Sequence, residues 1–178
     1  MDRNLGASRA ATSSTDTEAY GHLYQWGRAA DGHQVRTSRT TSTRSNSDRP
    51  GHGNFILTIE SPYNWRSPQN DNLWQGVNGI NNPCPAGFRL PTEAEWDAER
   101  QSWRSNNAAG AFASPLKLPM AGYRNLNNGS LHSVGSKGYY WSGTVVDKVS
   151  PGLGFSSTFA GMYYDDRSYG DSVRCIKH

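Results

Sequence analysis

The densest concentration of chemically versatile side chains in this 178-residue sequence lies towards its C-terminus. Between Tyr139 and Asp171 stand five of the nine tyrosines, Tyr139, Tyr140, Tyr163, Tyr164 and Tyr169, interspersed with Gly, Ser and Asp. The same window holds a single leucine, Leu153, and neither Ile nor Glu. That mixture suits recognition better than a core. Tyrosine offers a large amphipathic contact at low rotamer cost, and Ser, Gly and Asp supply adaptable hydrogen bonding. Asp147, Asp165, Asp166 and Asp171 would give such a surface a preference for a basic partner. Asparagine marks the same boundary: fourteen occur up to and including Asn128 and none after it, which suggests that the C-terminal segment has a separate mutational history.

Other reactive groups form no catalytic set. His22, His33, His52, His132 and His178 are scattered without metal-ligand spacing and read as surface residues. Asn70-Asp71-Asn72 offers oxygen ligands to a hard cation such as calcium, and the same residues are equally expected in a turn. Cys84 and Cys175 are the only cysteines. They would either close a disulfide, contributing at most ~4–5 kcal/mol through loop entropy, or remain as two buried thiols. The segment Arg28–Arg49 holds five Arg against two Asp, with eight Ser or Thr, and reads as a solvated loop. No aromatic residue between Trp26 and Phe55 is present to stack a base, which argues against nucleic acid as the partner. No run approaches the ~18 apolar residues of a membrane span, so no membrane insertion is expected. The opening Met1-Asp2-Arg3-Asn4 has no leader pattern.

These residues must be positioned by a chain that is 34% apolar yet carries six Trp, nine Tyr and five Phe, with 19 Gly and nine Pro. One domain spanning residues 1–178, loop-rich and of the α+β class with an aromatic core, is the expectation. Asp2–Ser8 reads as a strand turning at Gly6, and Glu18–Trp26 as a short helix with Tyr20, Leu23 and Tyr24 on one face. Gly27–Gly53 reads as loop and Phe55–Ile59 as strand. Tyr63–Asn82 reads as an ordered loop pinned by Trp65 and Trp74. Thr92 followed by Glu95 is a capping box, predicting a helix that runs to Trp103 or Arg104. Its glutamates are thereby explained structurally. Leu116–Tyr123 alternates like a strand, and Asn127-Asn128-Gly129 supplies a hairpin turn. Further strand-like pieces are Tyr139–Val145, Gly152–Phe155 and Ser172–Ile176.

Several stretches resemble a known family. Arg89-Leu90-Pro91-Thr92-Glu93-Ala94-Glu95-Trp96 is similar to the helix start of formylglycine-generating-enzyme-like domains, which have the C-type lectin fold. The wider pattern resembles the Fibrobacter succinogenes major paralogous (FISUMP) domain. It includes Met1-Asp2-Arg3-Asn4-Leu5-Gly6-Ala7, Tyr24-Gln25-Trp26-Gly27-Arg28, Cys84-Pro85-Ala86-Gly87-Phe88, Leu118-Pro119-Met120-Ala121-Gly122-Tyr123-Arg124, Tyr140-Trp141-Ser142 and Ser172-Val173-Arg174-Cys175. The family carries residues ahead of its Met-Asp-Arg-Asn stretch, which implies that this chain lacks a first strand or is an excised domain.

The resemblance implies a C-type lectin fold whose C-terminal third presents the ligand surface. Some members resemble the variable proteins of diversity-generating retroelements, in which template adenines are mutated and Asn codons become Tyr, Asp, Ser, Gly or Phe. The positions implied to vary, within about residues 139–171, are Tyr139, Gly143, Gly152, Gly154, Ser156, Phe159, Gly161, Tyr163, Tyr164, Asp165, Asp166 and Asp171. Tyr139, Phe159, Tyr163 and Tyr164 are the implied anchors, and Trp141 is expected beneath the sheet. The implied function is a non-enzymatic module that binds a protein or cell-surface ligand and acts on a virion, at a cell surface or outside the cell. No catalytic residue, metal or cofactor is implied. The alternatives are a non-diversified adhesion or carbohydrate-binding domain, and a formylglycine-type oxidase relative using Cys175. The Glu-Pro-Asn and Trp-Asn-Asp motifs of calcium-dependent sugar lectins are absent.

Overall fold

Helix α1 (Glu93–Gln101) shows how directly local sequence sets part of this fold. The Thr92 hydroxyl accepts from the Glu95 N–H at 3.2 Å, and Glu95 Oε2 accepts from the Thr92 N–H at 2.7 Å, which completes the expected capping box. Arg89 donates to both Glu95 oxygens at 2.7 Å. That guanidinium, with the Thr92 N–H, holds the Glu95 carboxyl down to about 2. The helix ends at Gln101, just short of the expected Trp103. A second helix, α2 (Ala108–Ala113), is capped by Asn107 Oδ1, which accepts from the Ala109 and Gly110 N–H groups. Its alanines bear no periodic apolar stripe, so pattern alone did not indicate it.

The computed structural model describes every residue from Met1 to His178. The chain is α+β, loop-rich and built on short strands. The strands are β1 (Tyr24–Gln25), β2 (Thr40–Thr41), β3 (Phe55–Ile56), β4 (Phe88–Arg89), β5 (Tyr123–Arg124), β6 (Leu131–His132), β7 (Lys137–Trp141), β8 (Val149–Ser156), β9 (Ala160–Asp166), β10 (Gly170–Asp171) and β11 (Ile176–Lys177). One sheet has the order β1-β10-β5-β6, two more are the pairs β4–β11 and β2–β3, and the longest strands form the antiparallel meander β7-β8-β9. Gly129 (φ +71°) lies in the turn joining β5 to β6, where the Asn-Asn-Gly signal placed a hairpin.

Several expectations are corrected. Glu18–Trp26 is not a helix: a single 3-10 turn at Thr17–Ala19 gives way to β1. Gly21 (φ +65°) breaks the helical path, and Tyr24 and Gln25 pair with Asp171 and Gly170, so a long-range ladder overrides local propensity. Asp2–Ser8 turns at Gly6 but forms no strand; Leu5 N–H simply donates to Val173 O at 3.0 Å. Leu116–Met120 is not a strand either. Lys117 (φ +50°) interrupts it, and Leu118 and Met120 donate to Ala111 O and Ser14 O. Arg28–Arg49 is not wholly solvated. Arg28 is fully buried, with Asp31 at 2.6 Å, Gln25 Oε1 at 2.8 Å and the Asn54 carbonyl at 2.9 Å. His33 is likewise buried rather than on the surface; its Nε2 accepts from the Gln25 N–H at 3.1 Å and its Nδ1–H donates to Asp31 Oδ1 at 2.6 Å. Burial pushes its imidazole down to about 4.

The core is aromatic and has two parts. The first gathers Tyr24, Trp26, Ile56, Trp65, Trp74 and Trp141 with Leu90, Val173 and Cys175. Each buried indole N–H here donates to a backbone carbonyl: Trp26 to Ser142 O, Trp65 to Trp26 O, Trp74 to Asn81 O and Trp141 to Tyr24 O. The tryptophans therefore hold irregular backbone in place where a ladder would otherwise be needed. The second part packs Trp96, Ala108 and Ala111 of the helices on Tyr140, Leu153, Phe155 and Ala160 of the meander. Cys84 and Cys175 are joined by a disulfide beside β4–β11, with Cα atoms 5.9 Å apart. No helix is long and apolar enough to cross a membrane.

Candidate ligand-binding face

The meander has two faces because successive side chains alternate. Tyr140, Leu153, Phe155, Ala160 and Met162 point towards the helices. On the opposite face, Tyr139 stands across from Gly154 and Gly154 across from Gly161; Trp141 stands across from Gly152 and Gly152 across from Tyr163. Trp141 is fully buried under the first core, so that end of the face is closed. The other end is open.

At the open end Lys137, Tyr139, Gly154, Ser156, Phe159, Gly161 and Tyr163 surround a depression of about 220 Å³, bordered by Phe155 and Met162. Tyr139 and Tyr163 meet edge to face at 5.3 Å. Glycine at position 154 leaves room for both: a Cβ there would lie 3.1 Å from the Tyr163 ring and 3.6 Å from Tyr139. A Cβ at Gly161 would lie 2.6 Å from the exposed Phe159 ring, which would have to swing aside. Phe159, at 62% exposure, is among the most exposed large apolar residues of the chain. Rings with a glycine floor create a shallow apolar trough with hydroxyl and ammonium groups at its rim, the lining of a small recognition surface.

The twelve residues singled out in the sequence do not all belong to this trough. Tyr139, Gly154, Ser156, Phe159, Gly161 and Tyr163 converge on it, and Asp165 lies farther along the same face. Tyr164 and Asp166 point to the helix side of β9, where the Tyr164 hydroxyl donates to Glu93 Oε1 at 2.6 Å. Gly152 belongs to the frame, because a Cβ there would sit 2.6 Å from the Tyr140 carbonyl oxygen. Gly143 lines a different, polar groove with Asp71, Gln75, Arg89 and Thr144. Asp171 is fully buried, in β10, and accepts from the Tyr163 hydroxyl at 2.7 Å. Tyr163 is therefore half frame and half face.

Sequence reasoning counted Tyr169 with the tyrosine-rich surface without naming it a varied position, and missed Tyr123 as part of the face. Tyr123 meets Tyr139 edge to face at 5.3 Å and Tyr169 at 5.7 Å, and stacks on His132 at 5.4 Å. Together with Tyr163 they form a continuous tyrosine wall. Its phenols stay neutral: burial, then the charges of Asp171 and its neighbours, push Tyr139 up to about 12, and burial with Asp165 raises Tyr123 and Tyr169. Lys137 was also missed, although its spacing of two from Tyr139 and four from Trp141 is the strand signature that reveals it.

Two side-chain oxygens of Asn70-Asp71-Asn72 are engaged within the chain. Asp71 Oδ1 accepts from Arg167 at 2.7 Å, and Asn70 Oδ1 accepts from the Asn72 N–H at 3.0 Å in a turn. No group of three or more His, Cys, Asp and Glu is arranged to hold a metal.

Comparison with known proteins adds one relation. Residues 98–176, from within α1 to β11, match a family described as a domain of unknown function (DUF8237). That stretch contains the whole meander and the tyrosine wall. Neither a curated protein nor a solved structure matches the chain.

Proposed function

We propose that this domain is a ligand-binding module of the C-type lectin kind, which presents the outer face of β7-β8-β9 to a protein or cell-surface target, and that the face is a product of retroelement diversification. The observation that carries the reading is the convergence of Tyr139, Gly154, Ser156, Phe159, Gly161 and Tyr163 on one open trough, beside a meander whose other face is packed core. Face and frame alternate residue by residue along the same strands. A varied set can thus change while Tyr140, Leu153 and Phe155 keep the fold. Exposed aromatic anchors over an apolar trough also match the residue classes that dominate protein-interface energetics. The oxidase alternative is weakened because Cys175, its reactive group, is bonded to Cys84.

The test needs no knowledge of the ligand. Libraries that randomise Tyr139, Gly154, Ser156, Phe159, Gly161 and Asp165 are displayed, and folded members are recovered by protease resistance. A control library randomises Tyr140, Trp141, Gly152, Leu153 and Phe155. The proposal expects many protease-resistant sequences from the first library and almost none from the second. Equal tolerance in the two libraries would overturn it.

A further inference from the structure

Asp165 and Asp171 differ from the paired acids of this chain. Asp31 is paired with Arg28 and His33, Asp16 with Arg9, and Glu95 with Arg89. Neither Asp165 nor Asp171 forms any salt bridge. Asp171 is fully buried, with Oδ2 on the Tyr163 hydroxyl and Oδ1 unpartnered. Asp165 is half-buried, on the outer face one step along from the Trp141–Gly152–Tyr163 row. A second group points to the same place. Ser150 stands directly across from Asp165 in the β8–β9 register, which puts both side chains on one face, with Cβ atoms ~5 Å apart. Ser150 is fully buried and its hydroxyl has no partner.

The surroundings select the sign of what would complete this set. The Tyr163 hydroxyl sits on Asp171 at 2.7 Å, its ring meets Tyr139 at 5.3 Å, and Tyr123 continues the wall from Tyr139 at 5.3 Å to Tyr169 at 5.7 Å; the charge of Asp165 reaches all four rings. Phenol rings and carboxylates are the two partners that favour an organic cation. Burial raises both carboxyls, with Asp166 adding to it at Asp165 and Asp165 adding to it at Asp171, as expected for acids lacking a counter-charge.

We propose that Asp165, backed by Asp171 and Ser150 and walled by Tyr123, Tyr139 and Tyr169, receives the cationic end of a lysine or arginine side chain from the protein target. The inference rests on the binding reading of the sheet face and specifies its partner chemistry: a basic side chain at the tyrosine wall beside an apolar group in the trough. The Lys137 ammonium, at the far end of the trough, sets the opposite polarity there, which would orient the target.

The test titrates the intact, oxidised domain with Nα-acetyl-lysine amide and Nα-acetyl-arginine amide, with Nα-acetyl-norleucine amide as the neutral counterpart, following backbone NMR shifts. The expected result is that at least one cationic probe binds roughly tenfold more tightly than the neutral one, with the largest shifts at Asp165 and Tyr169. Asp165→Asn abolishes that preference, and Asp171→Asn weakens it. Equal binding of all probes, or cationic binding unchanged in Asp165→Asn, overturns the inference. Shifts from the cationic probes confined to Gly154, Phe159 and Gly161, with none at Asp165, would overturn it while leaving the trough as a binding surface.

Discussion

Tyr163 is the residue at which face and frame meet, and its hydroxyl allows the division to be tested by one atom. Tyr163→Phe keeps the ring against Tyr139 at 5.3 Å and removes the donor that reaches Asp171 at 2.7 Å. Asp171 is fully buried and its other oxygen already lacks a partner, so the substitution leaves the entire carboxyl group without a hydrogen bond. Leaving a buried polar group unsatisfied costs about 1–3 kcal/mol. For a domain of this size that corresponds to a fall in Tm of about 2–4 °C per kcal/mol. Phe159→Ala, by contrast, truncates a side chain that is 62% exposed, and should change stability by less than about 0.5 kcal/mol. Urea unfolding followed by circular dichroism, with the disulfide intact, compares the two. If Phe159→Ala destabilises as much as Tyr163→Phe, or if Tyr163→Phe is neutral, the assignment of the Tyr163 hydroxyl to the frame and of Phe159 to the face is wrong.

Other consequences can be measured on the same preparation. Asp165, its carboxyl pushed up to about 7 by burial and by Asp166, holds a proton more tightly when folded than when unfolded. Its contribution to stability is therefore present at low pH and is lost as pH rises from the ordinary value of 3.8 through about 7, and Asp171 acts in the same sense. His33, pushed down to about 4 by burial, acts oppositely, since the unfolded chain takes up a proton between about 4 and the ordinary 6.5. Asp165→Asn should thus make stability fall less steeply, relative to the parent, as pH rises from about 4 to 7, while Asp171 still acts in the original sense; identical profiles in the two proteins would refute the account of this pair. Replacing Cys84 and Cys175 together by serine should lower the unfolding free energy by up to ~4–5 kcal/mol, read as a lower urea midpoint. Thr92→Ala removes the α1 cap and should cost about 1 kcal/mol.

Signals carried by neighbouring residues were legible in the sequence, and those set by distant partners were not. The capping box at Thr92 and Glu95 and the Asn-Asn-Gly turn act within a few residues, so their outcome follows from local chemistry. The α+β class followed from composition, and Trp65 and Trp74 were recognisable as anchors because a loop has no other reason to carry them. Tyr24–Gln25 went the other way: a helical apolar spacing became a strand because β10 pairs with it. Arg28 and His33 looked solvated because no local feature marks a buried charge; Asp31, Gln25 and the Asn54 carbonyl make the burial tolerable. At the face, alternation within a strand separates Tyr163 from Tyr164. A composition argument cannot, and it grouped the two. Gly152 and Gly154 differ for a similar reason, one abutting a backbone oxygen and the other two movable rings. Tyr123 escaped notice because it reaches the wall from β5, outside the tyrosine-rich window.

The claim that this face is a diversified binding surface is tested most directly by sequencing the DNA around the coding region. The account predicts a near-identical repeat of the C-terminal coding segment beside a reverse-transcriptase gene, differing at adenines. Those differences should fall on the codons for outward residues such as Tyr139, Gly154, Ser156, Phe159, Gly161 and Asp165, and spare those for Tyr140, Trp141, Leu153, Val173 and Cys175. Absence of such a repeat, or differences spread equally over the codons of the packed residues, would contradict it.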